Sequence, residues 1–265
     1  MRYTSKRSSF MVSEQEKIKF EKICHDIIHE DRQWHGIGTC REKTLHRVFK
    51  KYLCPNTDFH ETMVGNYIAD IVYDNTIYEI QSAGLFPLKK KLAYYLAHTD
   101  KQIQIVCPVL TCKRVIWVDV QSGEMSKPRK SPVGHGKIRV LPELIYLLDV
   151  LDFDRISFVI VGINADDYKL LDGKSGDKKH GATRLERLPR ELTDLVYIHS
   201  KKEIADYFMP QNLPSVFTAA EFSRLTKLRR RTLSAALKVL VRLDIIQTDG
   251  KQGNAILYRW KNKKD

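Results

Sequence analysis

Residues 65–83, GNYIADIVYDNTIYEIQSA, hold the side chains best suited to chemistry. Asp70 sits in one run of period-two hydrophobicity, and Glu79 and Gln81 sit in the next, with Asp74-Asn75 as the tight turn between them. Strand side chains alternate faces, so Glu79 and Gln81 share one face and Ile80 takes the other. Asp70 lies on the adjoining strand, where its carboxylate can converge on that of Glu79. Two carboxylates brought together out of water need a proton or a cation between them. A hard divalent ion such as Mg²⁺, with Mn²⁺ as a substitute, suits oxygen donors and requires only one or two carboxylates. The same spacing also fits a plain half-exposed hairpin whose acids are solvated, and the spacing alone does not separate the two.

The elements around this stretch follow from hydrophobic period. Residues 13–31 carry Ile18, Phe20, Ile23, Ile27 and Ile28 at helical spacing, opened by Ser13 and Glu16. Residues 40–53 form a second amphipathic helix with Leu45, Val48, Phe49, Tyr52 and Leu53 on one stripe, stopped by Pro55. Three short strands follow from about residue 60, then a helix over LKKKLAYYLAH, then two apolar strands, QIQIVCPVL and RVIWVDV. A helix over LPELIYLLDVL and one more strand, ISFVIVGI, complete the order α, α, β, β, β, α, β, β, α, β. The fold class expected is α/β, with a mixed sheet flanked by helices.

Residues 165–190 are polar and glycine-bearing and read as a linker or interdomain excursion, which places a boundary between a domain over 1–185 and a second over 186–265. The second reads as three helices and two strands joined by DGKQGN, the order of a winged helix-turn-helix. Thr218 and Glu221 form a capping box there. Its third helix opens on Lys227, Arg229, Arg230 and Arg231, where such a module meets the major groove, and Lys251 lies in the turn that would touch the backbone. A protein-docking role for the same basic helix is the competing reading.

The chain has 265 residues and a formal net charge of +13. A basic surface favours a polyanionic partner such as DNA. Composition excludes a mainly disordered chain. No apolar run is long enough to span a membrane, and there is no secretory h-region, so a soluble, cytoplasmic protein with no membrane partner is expected. The five cysteines lack a C-x-x-C pair and read as reduced thiols.

A glutamate-bearing helix, a hairpin with Asp, Glu-x-Gln on the next strand and then a helix together resemble the PD-(D/E)XK nuclease superfamily over roughly residues 36–120. That resemblance implies a restriction-endonuclease-like core in which Asp70, Glu79 and the backbone carbonyl of Ile80 bind Mg²⁺. The lysine usual in the motif falls on Gln81, which can orient a water molecule but cannot take its proton, so the resemblance implies that a bound metal acidifies the water. The resemblance also draws in Glu42, on the helix before the hairpin, and Glu61, on the first strand, as an outer ligand. Lys89, Lys90 and Lys91 offer a substitute for the missing lysine or a phosphate contact, with Lys91 as the candidate. The function implied is a metal-dependent DNA endonuclease, with a homodimer left open. The alternatives are a non-enzymatic DNA-binding regulator and a nuclease-fold protein without activity.

Overall fold

The computed structural model describes residues 9–10, 12–34, 44–134, 136–173 and 182–261. A short strand, β1 (Ser9–Phe10), precedes the helices α1 (Glu14–Trp34) and α2 (Thr44–Leu53). Ser13 and Glu16 cap α1 reciprocally: the Ser13 hydroxyl accepts the Glu16 N–H at 3.2 Å, and the Glu16 carboxylate accepts the Ser13 N–H at 3.0 Å. A meander of β2 (His60–Val64), β3 (Tyr67–Tyr73) and β4 (Thr76–Ile80) leads into α3 (Leu88–His98) and the long β5 (Gln102–Val118). Then come β6 (Arg129–Ser131), the one-turn helix α4 (Val140–Glu143), β7 (Ile156–Leu170) and β8 (Thr183–Ile198).

Among the described residues these strands build one eight-stranded mixed sheet, ordered β1-β8-β7-β5-β4-β3-β2 with β6 on β5. The β2–β3–β4 meander is antiparallel, whereas β4–β5 and β5–β7 are parallel. Parallel neighbours need a crossover, and α3 supplies it between β4 and β5. Alternation along β5 sends Ile103, Ile105 and Cys107 to one face, against Leu88, Leu92 and Tyr95 of α3. It sends Val106 and Leu110 to the other face, against Phe20 of α1 and Leu45, Val48 and Phe49 of α2. Helices on both faces account for the nearly continuous apolar character of the central strands. Cys24, Cys54 and Cys107 are buried free thiols, and Cys40 lies outside the described residues. Among the described residues no helix is long and apolar enough to cross a membrane.

The structure revises three sequence-based expectations. QIQIVCPVL and RVIWVDV are one strand, β5, with a register shift between Leu110 and Cys112 rather than a break. LPELIYLLDVL is not one helix: α4 passes into a turn of 3-10 helix over Leu144–Tyr146. Pro142, which has no N–H to donate, sits in the α4 turn. The expected linker is in large part strand, since β7 runs to Leu170 and β8 starts at Thr183. Residues 174–181 lie outside the described residues, and in the described part Asp166 and Asp167 are charges held by ion pairs to arginines. Arg114 holds Asp166 through two bonds of 2.7 and 2.6 Å, and Arg187 holds Asp167 through two of 2.5 and 2.8 Å. The boundary expected at 185/186 therefore falls inside β8.

Past β8 the chain forms α5 (Lys201–Phe208), β9 (Val216–Thr218), α6 (Ala219–Thr226), α7 (Arg230–Arg242), β10 (Ile246–Gln252) and β11 (Ala255–Trp260). The strands form a second sheet in the order β10-β11-β9. Thr218 and Glu221 make the capping box at α6. This part is not a separate core. One hydrophobic cluster runs from Ile77 and Leu92 through Leu141 and Leu144 to Phe217, Leu237 and Leu240. Asp149 adds a polar tie, accepting from Lys89 of α3 at 2.6 Å and lying 3.8 Å from Arg242 of α7.

Candidate functional site

The site begins where β3 and β4 part. Their ladder pairs Tyr73 with Thr76, Val72 with Ile77 and Ile71 with Tyr78. The next step of that register sets Asp70 opposite Glu79. There the side chain of Asp70 takes over from the backbone: its Oδ2 accepts the N–H of Ile80 at 2.6 Å. In an antiparallel pair the N–H and C=O of one residue point to the same neighbouring strand, so the carbonyl of Ile80 turns toward the Asp70 side. The Asp70 carboxylate is thus anchored at the end of β4, close enough for its charge to act on Glu79. Gly65, at φ +59 in the β2–β3 turn, lets the hairpin lie against Tyr94 of α3, whose ring occupies the space a Cβ would fill.

Glu79 is 2% exposed. Lys91 of α3 donates to its Oε2 at 2.7 Å, and the Tyr95 hydroxyl donates to its Oε1 at 2.9 Å. Burial is the largest influence on its acidity and raises its pKa from 4.5 to about 7; Lys91 opposes the shift, Asp70 adds repulsion and the Tyr95 hydrogen bond lowers it. The Tyr95 phenol is itself pushed well up, by burial and then by the Glu79 charge.

The other expected residues divide. Of the three lysines that open α3, Lys91 reaches the Glu79 carboxylate, Lys89 pairs with Asp149 and Lys90 is exposed. Gln81 follows β4: its backbone N–H goes to the Val106 carbonyl at 2.8 Å, and its side-chain Nε2 donates to the Gly84 carbonyl at 2.6 Å. Glu61 stands across from Asp70 on β2 at φ 48, and its carboxylate is 3.0 Å from Lys50 of α2, on the helix layer opposite α3. Among the described residues no three His, Cys, Asp or Glu side chains gather as metal ligands, so Glu61 does not complete a triad with Asp70 and Glu79. Glu42 lies outside the described residues.

Sequence reasoning missed three residues. Tyr95 was detectable, because it falls four residues after Lys91 on the same face of α3. Arg139 and Glu143 had no local signal. Arg139 donates to the Ser82 carbonyl at 2.9 Å and Glu143 accepts the Leu85 N–H at 3.1 Å, so together they fasten the loop that follows Gln81.

Lys227, Arg229, Arg230, Arg231 and Lys251 are all exposed. Lys227 (φ 63), the C-cap of α6, and Arg230 (φ 48), the first residue of α7, both take left-handed backbone at the two ends of the turn that joins these helices. The turn lies next to the loop that follows β4: a cavity of about 160 Å³ is lined by Gly84, Arg139, Glu143, Leu228 and Thr232, among others. A larger groove of about 740 Å³ runs along α7, with Leu233, Leu237 and Val241 on one wall and Ile145 and Leu148 on the other.

No solved structure matches the chain significantly. A protein of Treponema pallidum (strain Nichols), described as an uncharacterized protein, is 29% identical over 227 residues, spanning 84% of this chain and 87% of that one. The pattern of the family described as Domain of unknown function (DUF8091) matches residues 43–199, a span that opens at α2 and closes just past the end of β8. Asp70, Glu79, Gln81 and Lys91 all fall within it, and the match covers more than half of the sequence: the chain belongs to the DUF8091 family.

Proposed function

We propose that this chain is a metal-dependent DNA endonuclease, hydrolysing phosphodiester bonds on a core of PD-(D/E)XK type, and that its C-terminal part is a winged helix-turn-helix that positions it on DNA. The observation that carries the reading is Glu79, a carboxylate almost fully out of water, set opposite a second carboxylate on a splayed hairpin. Lys91 and Tyr95 do not fully offset the cost of burying its charge, which leaves its pKa near 7. The donors fit a hard divalent ion: Asp70, Glu79 and the Ile80 carbonyl all offer oxygen, and water and phosphate oxygens complete such a shell.

Mg²⁺ bound there would acidify the attacking water and offset phosphate charge. The protein's own groups do the positioning. Gln81 spends its N–H on Gly84, which leaves its side-chain carbonyl oxygen to accept an O–H and orient a water. Lys91 brings a cation beside Glu79 and can stabilise charge developing on the phosphoryl oxygens. Tyr95 favours the ionised form of Glu79 by hydrogen bonding to it. The order α5, β9, α6, α7, β10, β11 supports the winged-helix reading, as do the exposed arginines at the start of α7 and the net charge of +13.

Supercoiled plasmid tests this. Wild-type protein should nick it with Mg²⁺, and Asp70→Ala should not, while both retain DNA. Retention of DNA by the wild type without any nicking would favour a non-enzymatic DNA-binding regulator instead.

A further inference from the structure

Phe86 is 65% exposed and Tyr146 is 42% exposed, and their rings meet edge to face with centroids 5.4 Å apart. Phe86 lies in the loop that joins Gln81 to α3, between two residues that bury themselves: Leu85 is 2% exposed and Leu88 is 4% exposed. The chain thus turns its aromatic ring outward at a point where both neighbouring leucines reach the core. Tyr146 comes from the 3-10 turn after α4. Arg139 and Glu143 fasten that segment to the Phe86 loop through Ser82 and Leu85, so the two rings ride on a common rigid support. An edge-to-face contact uses one face of one ring, which leaves aromatic faces open to solvent. Exposed Lys90 follows in the first turn of α3, beside Lys89, which is paired with Asp149, and Lys91, which reaches Glu79.

We propose that the Phe86–Tyr146 pair is a stacking platform for an unpaired nucleobase beside the cleaved phosphodiester, so that the preferred substrate carries a single-stranded segment. This rests on the phosphodiesterase reading above and names its substrate class. Within a duplex each base already has both faces covered by its neighbours, whereas an unpaired base has a face to give to an aromatic ring. Cations next to an aromatic surface are the pairing that holds single-stranded nucleic acid, the lysines meeting phosphate and the ring meeting the base.

The test uses the full chain in Ca²⁺ with two probes: a single-stranded oligonucleotide carrying 2-aminopurine, and the matching duplex. Wild type should bind the single strand and quench 2-aminopurine by stacking. Phe86→Ala should weaken single-strand binding about ten-fold or more, the scale of one base–aromatic stack, and abolish the quenching while leaving duplex binding unchanged. Tyr146→Ala should act in the same direction, and Phe86→Trp should restore both signals. Phe86 is solvent-exposed, so these variants should keep wild-type folding, checked by thermal unfolding. The platform is refuted if Phe86→Ala binds and quenches as wild type does, or if it weakens single strand and duplex equally. In that event plasmid nicking that still depends on Asp70 would leave the nuclease reading standing. If the wild type binds neither probe, both readings fall.

Discussion

Replacing Glu79 by Gln should change how the stability of the protein depends on pH. The folded state holds the Glu79 proton up to about pH 7, whereas an unfolded carboxyl releases it near 4.5. Between those values the native state binds more protons than the unfolded chain, so stability falls as pH rises. At about 1.4 kcal/mol per pKa unit, the contribution lost by the top of that window is about 3 kcal/mol. Glu79→Gln has nothing to titrate there and should not show the decline. The glutamine keeps an oxygen to accept from Tyr95, and Lys91, with 19% of its side chain exposed, can turn to water. The stability of the variant relative to wild type should therefore grow by about 3 kcal/mol from acid to neutral and mildly alkaline pH. Urea unfolding midpoints across that range in EDTA measure it, with circular dichroism as the probe. Adding Mg²⁺ to wild type should recover much of the loss, because a ligand that binds only the folded carboxylate stabilises it. A wild-type-minus-variant difference that stays flat with pH, or that changes in the opposite direction, would refute the account of Glu79.

Three further outcomes follow from the same geometry. Asp70→Ala removes the acceptor of the Ile80 N–H and should cost about 1–3 kcal/mol, whereas Asp70→Asn keeps an oxygen there and should be milder; both should abolish cleavage, which chemical denaturation and a nicking assay read separately. Tyr95→Phe deletes a hydrogen bond that lowers the Glu79 pKa, so the acid limb of the cleavage–pH profile should move to higher pH. Replacing Arg229, Arg230 and Arg231 together by Ala should flatten the log–log dependence of duplex affinity on salt by up to about three units, at roughly −0.9 for each phosphate no longer neutralised, as measured by anisotropy at several salt concentrations.

The local parts of this fold were readable because each is written in a short window. The turn at Asp74-Asn75, the period-two runs around Asp70 and Glu79, and the helix from Leu88 all follow from patterns a few residues long. The Thr218–Glu221 cap was equally local. The β7–β8 hairpin was not readable, because Asp166, Asp167 and Arg187 look like loop residues until their partners on neighbouring strands are known. Polarity marks a loop only when the charge is solvated, and these charges are paired. At the candidate site the carboxylates and Lys91 were visible in sequence. The Arg139 and Glu143 clamps were not, since each contacts a loop more than fifty residues away. Glu61 shows the converse: a well-spaced acid on the right strand is claimed by Lys50, a partner from the other helix layer.

The most direct test of the central claim is Mn²⁺ binding by the metal-free protein, followed by titration calorimetry near pH 8. Wild type should bind Mn²⁺ at a site that Asp70→Asn and Glu79→Gln each eliminate, with affinity falling about ten-fold per unit as pH drops below 7, where Glu79 takes up its proton. Binding that survives both substitutions unchanged, or no binding by a folded wild-type protein, would contradict the assignment of Asp70 and Glu79 as a divalent-cation site.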